Sequence, residues 1–175
     1  MPANNYHFTE QWTIPGFTPE QVYEVLANAA LVTDWWCGVY LEVEPLGHYT
    51  RPVVGGKVRT KARGWLPYTL DFVLEALVLE PGRVVEVKAS GDFEGIWRAE
   101  LVRDGDGTKV LLDWRVEVQM PLIRLLSPVL KPIFAWNHRW TTPRGEQGLC
   151  RYLRAKHGRL PALAPAAAEL LPLAA

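Results

Sequence analysis

The sequence predicts an α+β fold in which a curved antiparallel sheet of about seven strands closes against helices. Apolar residues alternate with polar ones in most segments between residues 6 and 118, as in half-buried strands. Turn motifs such as Pro81-Gly82 and Asp104-Gly105-Asp106-Gly107 separate these segments at spacings typical of antiparallel sheets. After Ser127-Pro128 the alternation gives way to a helical pattern. Strands and helices that are segregated in this way indicate an α+β domain.

The first segment predicts a strand followed by two short helices. Its inward positions would be Tyr6, Phe8, Glu10, Trp12 and Ile14. Thr18 is placed to cap a helix, with a proline at the first helical position and a glutamine at the third, and this helix would reach about residue 28. Residues 31–36 predict a second brief helical turn.

Six further strands follow, each with one apolar side. The predicted inward residues are Val39, Leu41 and Val43; Val58, Thr60 and Ala62; Tyr68, Leu70, Phe72 and Leu74; Val85, Val87 and Ala89; Gly95, Trp97, Ala99 and Leu101; and Val110, Leu112, Trp114, Val116 and Val118. Together with the first segment they make seven strands.

A C-terminal helix of about 25 residues is predicted to end at residue 156 or 157. One stripe of it, at 100° per residue, contains Phe134, Asn137, His138, Thr141, Gly145, Gly148, Leu149 and Tyr152. Pro143 is expected to kink or interrupt this helix. Residues 160–175 form a low-complexity Ala/Pro/Leu tail, so residues 1–159 are expected to make a single domain.

Length and composition exclude several classes of protein. A chain of 175 residues fits one domain, and 19 basic against 19 acidic residues leave no net charge to attract nucleic acid. A hydrophobic content of 49% and a charged content of 22% are typical of globular proteins. Without a secretory signal, a transmembrane segment or a paired cysteine motif, we expect a cytoplasmic protein.

Several segments resemble one superfamily. They are DWWCGVYLEVEPLG (residues 34–47), RGWLPYTLDF (63–72), GDFEGIWRAEL (91–101), LLDWRVEV (111–118) and WNHRWTTPRGEQGL (136–149). Over residues 6–157 the chain resembles the START-like or SRPBCC superfamily, which includes the birch pollen allergen and the polyketide cyclase/dehydratase and lipid-transport families. The resemblance implies a helix-grip fold, with the sheet wrapped around the C-terminal helix. It departs at Thr142-Pro143, because that helix runs on through this region in the relatives.

A cavity between the sheet and the C-terminal helix is the candidate ligand site. Gly95, Ala99, Gly145 and Gly148 would leave voids on the inward faces unless large rings or a ligand filled them, and native cores hold few voids. We favour a ligand over a fully packed aromatic core. The candidate ligand-binding residues are Trp12, Tyr68, Phe72, Trp97, Trp114, Phe134, Asn137, His138 and Thr141.

Three of the inward polar residues are candidates for proton transfer or ligand polarisation. His138 has an ordinary pKa near neutrality, Glu10 interrupts an apolar strand face, and Tyr68 would donate its hydroxyl to a ligand carbonyl. The alternative for His138 is a core histidine satisfied by a neighbouring carbonyl or carboxylate. No cofactor or metal is expected, because the four histidines lack short ligand spacing.

The leading hypothesis is a carrier or sensor of a hydrophobic small molecule such as a lipid, a polyketide or another aromatic compound. The alternative is a polyketide cyclase/dehydratase-type enzyme in which His138 or Glu10 moves protons. A third hypothesis is an interaction module, and possible homodimer, that uses Trp136, Trp140 and the tail. The cations of the last helix also leave transient contact with an anionic membrane surface open.

Overall fold

The computed structural model describes residues 5–64, 68–118 and 140–158. After the first strand, β1 (Asn5–Ile14), come helix α1 (Pro19–Leu26), a 3-10 turn (Ala29–Leu31) and helix α2 (Val32–Trp35). The remaining strands are β2 (Tyr40–Pro45), β3 (Lys57–Arg63), β4 (Thr69–Glu80), β5 (Val84–Gly91), β6 (Phe93–Asp104) and β7 (Gly107–Val118). The C-terminal helix, α3, covers residues 140–156. The predicted tail lies outside the described residues.

All seven strands form one antiparallel sheet in the order β1-β7-β6-β5-β4-β3-β2. Five hairpins link β2 to β7 in sequence, and β1 pairs with β7 along its whole length, from Asn5 opposite Glu117 to Ile14 opposite Thr108. The short helices between β1 and β2 therefore cross from one edge of the sheet to the other. The α+β class and the seven-stranded sheet are confirmed.

Helix α1 begins as its sequence predicts. The backbone N–H of Thr18 donates to Gln21 Oε1 at 2.9 Å, and the backbone N–H of Gln21 donates to Thr18 Oγ1 at 3.4 Å, which completes a capping box. Pro19 occupies the first helical position, where its missing N–H costs nothing. The next turn begins at Asn28, whose side-chain oxygen accepts from the Ala30 N–H at 3.3 Å.

A bulge in β2 overturns the predicted alternation of that strand. The register shifts between Tyr40 and Glu42 where β2 pairs with β3. An extra residue at a bulge reverses which face the following side chains take. Tyr40 and Val43 therefore both pack against the core, whereas Leu41, predicted to face inward, is 39% exposed.

Three tryptophans form the centre of the core. Trp35 and Trp36 stack with their ring centroids 5.2 Å apart, and Trp12 meets each of them edge-on at 6.4 and 5.7 Å. Edge-to-face and offset arrangements suit the quadrupoles of aromatic rings. Leu149 and Leu153 of α3 are fully buried in the same cluster.

Helix α3 approaches these rings through two glycines. A Cβ at Gly145 would lie 2.8 Å from Trp36 Cε2 and 3.0 Å from Trp12 Cη2, and one at Gly148 would collide with the Trp35 carbonyl oxygen. A Cβ at Gly95 would likewise collide with the backbone of Arg115. Of the two alternatives for the space beside these glycines, large rings or a ligand, the structure shows rings at Gly145, and at Gly148 and Gly95 it shows backbone.

The helix is also continuous across Pro143. Residues 140–156 are helical without a break, so Pro143 does not interrupt the part of the helix that the structure describes. A proline removes one N–H and crowds the carbonyl four residues earlier, and that carbonyl belongs to residue 139, outside the described residues. The predicted C-terminal end at residue 156 is confirmed. No helix in the described ranges is both long and apolar enough to cross a membrane.

We predict that Gly148→Ala destabilises the protein by about 1–3 kcal/mol or more, because the added methyl group collides with the Trp35 backbone. Helix propensity alone predicts that the substitution stabilises the protein, because alanine is favoured over glycine in a helix by about 1 kcal/mol. Urea unfolding measures the difference. Gln147→Ala, on the exposed face of the same helix, should change stability by less than about 0.5 kcal/mol. A stabilised Gly148→Ala variant would contradict the close packing.

Candidate functional site

A cavity of about 70 Å³ lies between the sheet and the helices. Most of its described lining is aromatic or aliphatic, and none of it is charged. The helical segment before β2 contributes Leu26, Asn28, Ala29, Val32, Trp35 and Trp36, and the sheet contributes Tyr40, Phe72, Leu74, Val87, Ala89, Phe93, Trp97 and Trp114. This is the usual composition of a small-molecule site.

Sheet register brings the aromatic residues of the lining together. Trp97 and Trp114 are direct partners across β6 and β7, so both rings lie on the same face of the sheet. Phe93 precedes Trp97 by four residues on β6, and its ring centroid lies 4.6 Å from that of Phe72 and 6.4 Å from that of Trp114. Period-two alternation on three strands thus builds one continuous aromatic wall.

The cavity wall also contains hydrogen-bond donors. The indole N–H of Trp35 is buried and has no acceptor in the part of the chain that the structure describes. An unsatisfied buried donor costs about 1–3 kcal/mol. Trp36 differs, because its indole N–H donates to the Thr141 carbonyl oxygen at 3.1 Å.

Tyr40 adds a second polar group to the wall. Desolvation raises the pKa of its hydroxyl well above the ordinary value of about 10. The hydroxyl is protonated at neutral pH, as in any tyrosine, and the raised pKa extends that neutral form to more alkaline conditions.

A smaller cavity of about 10 Å³, the β1 subsite, adjoins the main one. Trp36, Trp97 and Trp114 line both, and Phe8, Glu10, Trp12, Leu112 and Thr142 complete the smaller one. Glu10 is half-buried and brings a carboxylate to this aromatic surface. The indole N–H of Trp12 is buried without an acceptor among the described residues. The space is about that of one water molecule.

A third cavity, of about 160 Å³, adjoins the main one on the opposite side. The two share Asn28, Ala29, Leu74 and Val87. Its outer wall is the loop between β2 and β3, residues 46–56, so we call it the loop cavity. Their lining residues follow the strand order, from β1 and β7 at the β1 subsite through β6, β5 and β4 at the main cavity to β3 at the loop cavity.

Some of the predicted site residues line the cavities, and others do not. Phe72, Trp97 and Trp114 line the main cavity, while Trp12 and Glu10 line the β1 subsite. Thr141 is buried and meets Trp36 through its carbonyl. Tyr68 is half-buried just before β4 and is not among the described lining residues. The other predicted residues, Phe134, Asn137 and His138, lie outside the described residues.

Four aromatic residues of the lining were not among the predicted site residues: Trp35, Trp36, Tyr40 and Phe93. The inward position of Phe93 could have been predicted, since it stands two residues before Gly95 on the same face of the strand. Tyr40 and Val43 both pack inward because the bulge lies between them. Within the described ranges, no three His, Cys, Asp or Glu side chains come together as they would around a metal ion.

A family model described as polyketide cyclase/dehydrase and lipid transport matches residues 16–142, which is most of the chain. The match begins at the turn after β1 and extends into α3, so it contains the whole described lining of the main cavity. A search of the curated proteins gives no sequence match.

Solved structures share the fold at low sequence identity. The Zhui aromatase/cyclase from Streptomyces sp. R1128 aligns with a TM-score of 0.70 at 13% identity, over 87% of this chain and 96% of that one. TTHA0849 from Thermus thermophilus gives 0.69 at 14%, over 87% and 98%. A norcoclaurine synthase point mutant from Thalictrum gives 0.58 at 12%, over 88% and 96%. These likenesses confirm the helix-grip fold.

Tyr40 predicts a loss of stability at alkaline pH. Its folded pKa lies above the unfolded value of about 10, so its stabilising contribution is complete below pH 10 and falls as the pH rises further. We expect the free energy of unfolding to decline above about pH 10, and to decline less steeply in Tyr40→Phe. Tyr49→Phe, at an exposed tyrosine, is the control and should follow the wild type. Identical slopes in all three proteins would refute this role, and denaturant titrations across the pH range measure it.

Proposed function

Because the chain belongs to the polyketide cyclase/dehydrase and lipid transport family, we propose that it binds a hydrophobic small molecule as a carrier or sensor. The ligand would be a lipid, a polyketide or another aromatic compound, held in the main cavity between the sheet and the helices. The observation that carries this proposal is the lining itself, in which aromatic rings from β4, β6 and β7 face the Trp35–Trp36 pair with no charge among the described residues.

The polar groups of the lining favour binding over catalysis. A general acid or base works best when its pKa lies near the operating pH. The titratable side chain that the described lining offers is Tyr40, and desolvation moves its pKa away from neutrality. Tyr40 and Trp35 would instead orient a ligand by donating hydrogen bonds to its oxygen atoms.

Native mass spectrometry of the purified protein, followed by organic extraction, tests the proposal. We expect a bound apolar molecule in the wild type and its loss in Ala89→Phe, because Ala89 is buried against the cavity and a ring there would fill it. Affinity for the extracted molecule should fall at least about tenfold, a loss of about 1.4 kcal/mol.

Val102→Phe is the matched control, since Val102 is 47% exposed on β6 and lies outside the described cavity lining. Circular dichroism checks that both variants fold. Wild-type protein that carries no ligand and binds no lipid or polyphenol probe would refute the proposal. Equal binding by Ala89→Phe would place the ligand elsewhere.

A polyketide cyclase/dehydratase-type enzyme is the second candidate, and Glu10 is the observation that favours it. This carboxylate borders the β1 subsite, whose tryptophan rings also line the main cavity. A carbon between two ketones is acidic enough for a carboxylate to remove its proton when the two are held together. His138, the other candidate base, stays a prediction.

If the chain is an enzyme, Glu10→Gln should lower turnover of a linear poly-β-ketone at least about a hundredfold while affinity changes only a few-fold, because the amide keeps the shape and loses the base. Glu94→Gln, on the exposed side of β6, is the control and should leave turnover unchanged. Product formation is followed by chromatography. A wild-type protein that binds the polyketone without converting it would refute the enzyme hypothesis.

The interaction-module hypothesis gains no support from the described residues. It relied on Trp140 as part of an exposed aromatic patch. Trp140 instead packs against the core, and the Arg144 guanidinium lies 3.6 Å from its ring centroid. Trp136 and the tail lie outside the described residues.

A further inference from the structure

The loop cavity differs from the main cavity in charge. Arg51 and Lys57 both line it, and its described lining contains no acidic side chain. The main cavity beside it is uncharged in its described part. A molecule that occupied both cavities would therefore have an apolar end among the aromatic rings and another end beside two cations.

The loop that carries Arg51 is anchored at its base. Leu46 N–H donates to the Lys57 carbonyl at 2.8 Å, Gly55 N–H donates to the Ala76 carbonyl at 2.8 Å, and Ala76 N–H donates to the Gly56 carbonyl at 3.0 Å. Gly55 has a φ of +80°, which glycine adopts without strain. These bonds fix both ends of the loop against β3 and β4, and Arg51 lies between the two anchored ends.

Charge pairing distinguishes Arg51 from Lys57, the other cation of the loop cavity. Three of the four cations of β3 have an acidic partner: Lys57 lies 3.3 Å from Glu75, Arg59 lies 3.8 Å from Asp71, and Lys61 lies 3.0 Å from Glu42. Arg51 has no ion-pair partner among the residues that the structure describes. Its guanidinium is thus available to an anion, and Lys57 adds a partly neutralised second charge.

We propose that the loop cavity binds the anionic group of an amphipathic ligand, with Arg51 as the residue that selects it. This inference rests on the proposed function, because the apolar part of the same ligand would occupy the main cavity. The chemical class is an aromatic or apolar molecule that ends in a carboxylate or another anion. Arg51 suits that group, because a guanidinium presents paired donors to the two oxygens of a carboxylate.

Two matched probes test this assignment: 4-(2-naphthyl)butyrate, an anion at neutral pH, and 4-(2-naphthyl)butanamide, its neutral amide. Isothermal titration calorimetry at about 20 mM salt should show that the wild type binds the butyrate about fivefold more tightly, as expected for a partly exposed ion pair. Arg51→Gln should abolish this preference and leave amide affinity unchanged. The preference should also shrink at about 0.5 M salt, where screening is stronger.

Two variants serve as controls. Arg83→Gln removes an exposed arginine of the β4–β5 turn, outside the described cavity lining, and should keep the fivefold preference. Lys57→Gln should reduce the preference less than Arg51→Gln does, because Glu75 already pairs with this lysine.

The possible results separate the two proposals. Equal affinity of the wild type for both probes, or a preference that survives Arg51→Gln, overturns the anion site while binding to the cavity stands. If the wild type binds neither probe, the anion site is overturned, and the proposed function is overturned with it only when the protein also carries no extractable apolar molecule and binds no lipid or polyphenol probe. The assignment is supported if the preference for the butyrate over the amide disappears in Arg51→Gln and persists in the Lys57→Gln and Arg83→Gln variants.

Discussion

The structure depends on the close contact between α3 and the Trp35–Trp36 pair. Gly145 and Gly148 remove the side chains that would keep the helix away, and their positions are filled by the Trp36 ring and the Trp35 backbone. The Trp36 indole N–H then reaches the Thr141 carbonyl, a hydrogen bond that is buried and therefore costly to break. Glycine lowers helix propensity by about 1 kcal/mol at each position, so packing must offset that cost.

This contact also positions the cavity. Trp36 packs against α3, yet it lines both the main cavity and the β1 subsite. Stacking on Trp35 and edge contacts with Trp12 hold its ring from the remaining sides. The same ring thus serves the core and the site. A change at the helix glycines would move a cavity wall that lies on a different segment of the chain.

Regular alternation made most of the sheet predictable, and local irregularities account for most of what was missed. Trp97 and Trp114 follow an unbroken period of two, so their shared face could be predicted from the sequence. Tyr40 could not, because the neighbouring bulge depends on how β2 pairs with β3. The glycines of α3 were correctly placed on the inward stripe. What they face was not predictable, since the Trp35–Trp36 pair comes from a segment far earlier in the sequence and meets them only in the folded chain.

The distribution of charge along the three cavities limits what each part is able to do. The middle section offers rings and neutral donors in its described lining, so it can contribute affinity and orientation but little proton transfer. The charged groups lie at the two ends, with Glu10 at the β1 subsite and Arg51 at the loop cavity. A carrier needs only the main cavity and one charged cavity that selects the ligand. An enzyme also needs a reacting carbon of its substrate beside Glu10, so the depth to which a ligand enters past Trp97 and Trp114 separates the two functions.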